Sequence, residues 1–308
     1  MEKGVVIKST GSWYSVSTES GDIYECRLKG KFRIKGIKST NPVAVGDYVS
    51  FEVAKDDENV IVAIEPRRNY IIRKSINLSK QTHIIASNVD QALLIATINF
   101  PVTSTTFMDR FLISARAYGI PVTIVFNKFD LYEEKEKEKL ADFIEVYESI
   151  GYKCIIASAE EGINIKKIAA VLKDKVTVLS GHSGVGKSTI INLIDSDLDL
   201  RTDEISDMHQ QGKHTTTFAE MFFLKDGGAI IDTPGIRGYG LINMEKEELS
   251  HFFPEIFEIS HECKFNNCTH IHEPHCAVIE AVKDGRIGES RYRSYFSMFN
   301  EDENEKYR

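Results

Sequence analysis

At 308 residues with 42% hydrophobic side chains, the chain is long enough for two or three packed domains and shows no bias towards disorder. Met1–Tyr14 has no apolar core of the secretory type, and apolar stretches such as Gln91–Ile98 are far too short to span a bilayer, so a cytoplasmic protein with no membrane partner is expected. The net charge of −8 hides an asymmetry, because residues 1–74 carry 13 Lys/Arg against 10 Asp/Glu. A slightly basic element on an acidic body points to an anionic partner.

Residues 1 to about 70 hold short runs rich in β-branched and aromatic residues: Val5–Lys8, Ser12–Ser17, Asp22–Leu28, Asp47–Val53 and Val60–Ile64. Gly11, Gly21 and Gly46 separate them. Short strands at this spacing predict a small barrel or sandwich, and five in about seventy residues fit an OB-fold, with an SH3-like barrel as competitor. Inside it Arg27, Lys29, Lys31, Arg33 and Lys35 alternate with Leu28, Gly30, Phe32, Ile34 and Gly36. Side chains two apart share a strand face. Such a row of cations suits RNA phosphates, and RNA binding is expected over a solvated edge strand guarded by charge.

From about residue 75 strands and helices alternate: Gln91–Ile98 (strand), Thr106–Tyr118 (helix), Val122–Phe126 (strand), Glu133–Ser149 (helix), Cys154–Ala157 (strand), Ile165–Lys173 (helix), Val176–Ser180 (strand) and Lys187–Ile194 (helix). The pattern predicts an α/β domain with a parallel sheet covered on both faces and ligands at the carboxyl ends of its strands. Beyond about residue 241 the chain turns helical and bears Cys and His. The expected domains are 1–72, 73–240 and 241–308.

Two motifs sit just after predicted strands. Gly181-His182-Ser183-Gly184-Val185-Gly186-Lys187-Ser188 follows Ser180 and matches the phosphate-binding pattern G-x-x-x-x-G-K-[ST]. Its glycines let backbone N–H groups turn towards phosphate oxygens; Lys187 is expected on the β- and γ-phosphates and Ser188 on Mg²⁺. Asn127-Lys128-Phe129-Asp130 reads as the guanine-recognising N-K-x-D. A carboxylate at Asp130 can accept from guanine N1–H and the exocyclic amine, a donor pair adenine lacks, so GTP is the expected nucleotide. Asn127 would brace the loop, the Lys128 stem would cover the base, and Ser158–Ala159 would close over it. Asp232-Thr233-Pro234-Gly235 matches D-x-x-G, with Asp232 towards Mg²⁺ and the Gly235 N–H towards the γ-phosphate.

In Gly212-Lys213-His214-Thr215-Thr216-Thr217, Thr216 is the favoured switch ligand of Mg²⁺, with Thr215 and Thr217 open. The residue after D-x-x-G is Ile236, which cannot orient a water. His214 is the candidate for that task and Arg237 a candidate for transition-state charge, so slow intrinsic hydrolysis is expected.

Cys263, Cys268 and Cys276 fall among His261, His270, His272 and His275. Three thiolates and one imidazole suffice for a closed, structural Zn²⁺ site, with the choice of histidine left open. Cys26 and Cys154 read as small buried hydrophobes.

The guanine motif precedes the phosphate loop by more than fifty residues, the reverse of the ordinary order. With the Gly-Lys-His-Thr-Thr-Thr loop, D-x-x-G with an apolar successor, and Cys-x₄-Cys-x-His-x₅-Cys, the chain resembles the circularly permuted, small-subunit-dependent bacterial GTPases over nearly its whole length. The resemblance implies an OB-fold, a permuted GTPase domain and a zinc segment held by Cys263, Cys268, His270 and Cys276. It further implies a monomer that binds 16S rRNA on the 30S subunit late in assembly, is stimulated by that subunit, and leaves it after hydrolysis. Residues 235–240 lead into the zinc segment, so a relay from the γ-phosphate to that segment is expected.

Overall fold

A computed structural model describes residues 1–28, 42–54, 59–74, 82–200, 219–233 and 245–301. Five strands, β1 (Glu2–Ser9), β2 (Tyr14–Ser17), β3 (Ile23–Leu28), β4 (Tyr48–Glu52) and β5 (Asn59–Ile64), pair in the order β1-β2-β3-β5-β4, and β4 closes back on β1. The expected barrel is therefore present and closed. Alternate residues point inward: Val6, Tyr14, Val16, Cys26, Val49, Phe51 and Ile61 are all buried in one core.

A two-stranded ribbon follows, β6 (Tyr70–Lys74) with β7 (Thr82–Ser87). These two strands lie outside the runs expected from the sequence. The ribbon leads into β8 (Gln91–Ala96), α1 (Thr105–Ala117), β9 (Val122–Phe126), α2 (Glu134–Ser149), β10 (Lys153–Ile156), α3 (Ile165–Leu172), β11 (Val176–Ser180) and α4 (Lys187–Ile194). The last strands are β12 (Glu220–Phe223) and β13 (Ala229–Asp232).

The strands β10-β9-β8-β11-β13 run parallel, as expected. One further strand, β12, joins this parallel set at its β13 edge and runs antiparallel. The turn between them at Gly227 and Gly228 is too short for a crossover helix, so only an antiparallel hairpin can form.

Period-2 alternation splits this sheet's apolar residues between two cores. Ala92, Leu94 and Ala96 of β8, with Ile124 and Phe126 of β9, pack against α1 and α2. Leu93, Ile95 and Val125 face α3 and α4. Each such buried Leu or Ile contributes roughly 1.5–3 kcal/mol of transfer free energy.

The strand registers matter most for function. Ala96 pairs with Phe126, Phe126 with Ile156, Leu94 with Ser180, and Leu179 with Asp232. The loops after β8, β9, β10, β11 and β13 therefore leave one sheet edge side by side.

The C-terminal module holds a 3₁₀ turn (Lys246–Phe252), α5 (Pro254–Ser260), α6 (Ala277–Lys283) and α7 (Glu289–Asn300). Pro254 at the first position of α5 sets φ for the helix at no cost in hydrogen bonds. Ile113 of α1 enters this module's core beside Phe253 and Tyr295. Among the described residues no helix is long and apolar enough to cross a membrane.

Candidate nucleotide-binding and metal sites

The loop after β9 and the loop after β11 meet through one side chain. The Asn127 amide donates through Nδ2 to the Val185 carbonyl (2.8 Å), and its Oδ1 accepts from the Ala159 N–H (3.1 Å). One buried residue thus joins the Asn-Lys-x-Asp loop, the phosphate loop and the Ser158–Ala159 turn. Gly186 makes this possible: at φ +95° it lies so close that a Cβ there would sit 2.4 Å from Asn127 Nδ2. Gly181, at φ +145°, is pressed likewise against the Ile95 carbonyl.

Lys128 sits in the left-handed region (φ 65°), with its ammonium on the Phe100 carbonyl at 2.6 Å. Phe129 donates its N–H to the Ala157 carbonyl, and the Ser158 hydroxyl donates to Asp130. Tyr132 adds a brace that no motif marks. Its hydroxyl donates to the Asn127 carbonyl (2.6 Å) and accepts from the Ile98 N–H (2.8 Å).

In the phosphate loop Ser180 and Val185 are buried, Ser183 and Gly184 are exposed, and Ser188 lies half-buried in the first turn of α4. Lys187 folds back on the loop, its Nζ donating to the carbonyls of Gly181 and His182 at 2.9 Å each. The His182 ring stacks on Phe107 of α1 with centroids 3.9 Å apart, a second contact that no motif foretold. Asp232 ends β13, and the Thr233 hydroxyl donates to the Leu179 carbonyl. Burial lowers the pKa of Lys187 against the pull of the Asp232 charge, and burial raises that of Asp232 against the pull of Lys187. The edge thus presents a partly desolvated cation and carboxylate, the pair that a phosphate and its divalent counter-ion require.

The second site lies in the C-terminal module. Cys263 Sγ is 3.6 Å from His270 Nδ1 and 3.9 Å from Cys276 Sγ; Cys276 Sγ is 3.6 Å from Cys268 Sγ and 3.4 Å from His270 Nδ1. Tetrahedral Zn²⁺ with Zn–S about 2.3 Å and Zn–N about 2.0–2.1 Å needs donor separations of about 3.5–3.8 Å. The four donors fit. Of the four histidines in the segment, His270 is the one that belongs to the cluster; His261, His272 and His275 do not.

Burial lowers the His270 pKa and so favours the neutral imidazole that binds metals. The loop is held from outside the cluster. Glu273 accepts from Thr269 Oγ1 (2.5 Å) and from the N–H groups of Thr269, Ile271 and His272. Tyr292 and Tyr295 donate to the carbonyls of His270 and Thr269.

The geometry agrees with what the chain is similar to. The family profile described as RsgA GTPase matches residues 64–242, and that described as RsgA N-terminal domain matches 3–61. The small ribosomal subunit biogenesis GTPase RsgA 2 of Bacteroides thetaiotaomicron is 55% identical over 306 residues, covering 99% of each chain. RsgA of Christiangramia forsetii is 54% identical, covering 99% of this chain and 98% of its own. The chain belongs to the RsgA GTPase family.

Among solved structures, YjeQ from Thermotoga maritima superposes with a TM-score of 0.77 at 34% identity, covering 97% of each chain. YloQ, described as a circularly permuted GTPase, gives 0.72 at 32% identity, covering 97% of this chain and 94% of its own. This member of the RsgA family is a circularly permuted GTPase with an N-terminal barrel and a C-terminal cluster able to hold a metal.

Several expected residues fall outside the described ones: Lys29, Lys31, Arg33 and Lys35 of the cationic row, His214 and Thr216 of the threonine loop, and Gly235. Arg27 is described; it is exposed on β3, with its guanidinium 3.9 Å from the centre of the Trp13 ring.

Proposed function

We propose that this RsgA-family GTPase hydrolyses GTP to GDP and phosphate while bound to 16S rRNA on the small ribosomal subunit, assisting its late maturation, with turnover stimulated by that subunit. The observation that carries the reading is the Asn127 amide, which spans from the Val185 carbonyl to the Ala159 N–H. It supports a reading in which base recognition and phosphate binding share one sheet edge. Asp130 reads the guanine N1–H and amine, the Lys128 stem and Phe129 cover the loop's faces, and Ser158–Ala159 close over the base. Backbone N–H groups from Gly181 to Ser188 take the phosphates, with Lys187 on the β- and γ-oxygens.

Ser188, Thr216 and Asp232 would hold Mg²⁺, which when bound offsets phosphate charge. His214 orients the attacking water and the Gly235 N–H senses the γ-phosphate. Cys263, Cys268, His270 and Cys276 hold one structural Zn²⁺. The cationic row from Arg27 to Lys35 meets rRNA phosphates, and the guanidinium–indole pair of Arg27 and Trp13 adds a stacking surface. The protein works in the cytoplasm as a monomer whose divisions are 1–72, 73–240 and 241–308.

The test is GTP hydrolysis with and without small subunits. Turnover should rise strongly with the subunit, and Lys187→Ala should remove the rise. Asp130→Asn should exchange guanine for xanthine preference, because an amide donates where the carboxylate accepts. Equal hydrolysis of ATP and GTP by the wild type would overturn the assignment of the base loop.

A further inference from the structure

The C-terminal module carries a cavity of about 500 Å³ that the metal cluster borders on one side and whose remaining walls have no part in the chemistry above. It opens between the 3₁₀ turn, α5, the metal-bearing loop and α7, and its volume lies within the roughly 300–1,000 Å³ of small-molecule sites. Its walls are aromatic. Phe257, 38% exposed, has His251 and His261 edge-on at 5.2 and 5.1 Å, and Phe265 is 44% exposed on the loop between Cys263 and Cys268. The Lys264 ammonium lies 5.7 Å from the Phe265 ring, and that of Lys246 lies 6.0 Å from the Phe299 ring, which also lines the cavity. Asn266, Asn267, Glu247 and Glu248 complete its polar lining.

We infer that this cavity captures a single unpaired nucleotide of RNA, with the base stacked on Phe257 and Phe265 and its flanking phosphates on Lys246 and Lys264. Each part of the lining restricts the ligand. Aromatic faces accept any base, but only one that has left its helix, since an intact duplex cannot insert a base into a concave wall. The lysines ride on rings that line the cavity, so a base inside brings its backbone to them. Glu247 and Glu248 repel phosphate and must meet the base edge instead, where a carboxylate accepts from an exocyclic amine. Cytosine, adenine and guanine offer that amine; uracil does not. The metal cluster forms part of the same wall through Cys263, Cys268 and His270, and so fixes where Phe265 and the two asparagines stand. This inference rests on the reading that the partner is RNA, but its test does not need the subunit.

Labelled cytidine and uridine hexanucleotides are titrated into the full, metal-loaded chain by fluorescence anisotropy, and ultraviolet cross-links are mapped by mass spectrometry. Cytidine RNA is expected to bind more tightly than uridine RNA, with cross-links at Phe257 or Phe265. A Phe257→Ser/Phe265→Ser variant should bind cytidine RNA at least about fivefold more weakly, the loss of one stacked base. Glu247→Gln/Glu248→Gln, at exposed positions that cannot unfold the module, should erase the preference for cytidine. Unchanged binding by the phenylalanine variant, cross-links confined to the barrel, or equal competition by a duplex of the same sequence would overturn the inference. A cavity that takes a peptide side chain would likewise leave RNA binding untouched. Absence of subunit-stimulated hydrolysis in the wild type bears on the proposed function alone.

Discussion

The barrel and the metal module join the GTPase sheet through buried charges of opposite sign. At the barrel joint the centre is an anion. Asp47 accepts from Arg67 Nε (2.6 Å) and Nη2 (2.5 Å), from Ser87 Oγ (2.7 Å) and from the Ala44 N–H (2.8 Å). At the metal-module joint the centre is a cation. Arg291 of α7, 0% exposed, donates to Asp109 of α1 at 2.5 Å and to Glu255 of α5 at 2.6 Å, and Tyr147 of α2 donates to the same Asp109 oxygen. Burial alone would lower the arginine's pKa; the two carboxylates outweigh it and hold the guanidinium charged. The contrast is one of redundancy. Asp47 accepts from three residues, two of which remain if Arg67 is lost, whereas one arginine bridges Asp109 and Glu255, and of these two only Asp109 has a further donor in Tyr147.

Metal removal should separate the two joints most sharply. Structural zinc contributes apparent binding energies of about 10–16 kcal/mol in small zinc modules. Chelation should therefore unfold 245–301 while the barrel keeps its amide protection, read by hydrogen exchange. Next in size is Arg291→Met, which strands two buried carboxylates and should cost about 3–5 kcal/mol in chemical denaturation. Replacing Asp109, Glu255 and Arg291 together by apolar residues of similar volume should recover most of that loss. Arg67→Met should cost less, about 1–3 kcal/mol, because Ser87 and Ala44 still serve Asp47. If the two arginine variants prove equally damaging, redundancy is not what distinguishes the joints.

A pH series sharpens the same contrast. Burial works to raise the Glu273 carboxyl, but hydrogen bonds from Thr269 and neighbouring N–H groups outweigh it and bring its pKa down to about 2, against an ordinary 4.5. A depressed carboxylate stabilises fully above the unfolded value and loses that contribution as pH falls through the folded one. Wild type should therefore exceed Glu273→Gln in metal-module stability by a constant margin above pH 4.5, shrinking between 4.5 and 2. A margin that persists at pH 2 would remove Glu273 from the account.

These joints also mark where sequence reasoning stops. Val122–Phe126 and Val176–Ser180 are strands with those bounds, because β-branched runs ending at motif residues leave few alternatives. The closed barrel was equally legible from five alternating runs. Asp109 and Arg291, by contrast, are 182 positions apart, and no local period links an acid on one helix to a base on another. Tyr132 was invisible for a related reason: a tyrosine beside the guanine loop is ordinary until its hydroxyl is seen to bridge two backbones. The ribbon of β6 and β7 was missed because its two runs flank a presumed boundary. Residue chemistry alone left the histidine open because four of them share the segment, and the resemblance pointed to His270; in the fold it is the His270 Nδ1 that lies beside the thiols, 3.4 Å from Cys276 Sγ.

The smallest effect belongs to the seam where barrel and GTPase sheets touch. Among the described residues their only registered pair is Lys8 with Glu220, and the ammonium meets the carboxylate at 3.0 Å with both side chains well exposed, at 43% and 37%. Solvent screens such a pair, so Lys8→Ala should cost no more than about 1 kcal/mol and the loss should vanish in molar salt. Continuity of the sheet across this seam is then a consequence of how the Asp47 joint sets the barrel, not its cause. A Lys8→Ala loss that exceeds the Arg67→Met loss and survives high salt would reverse that order, making the strand seam the hinge-fixing contact and the buried carboxylate a local device of the barrel.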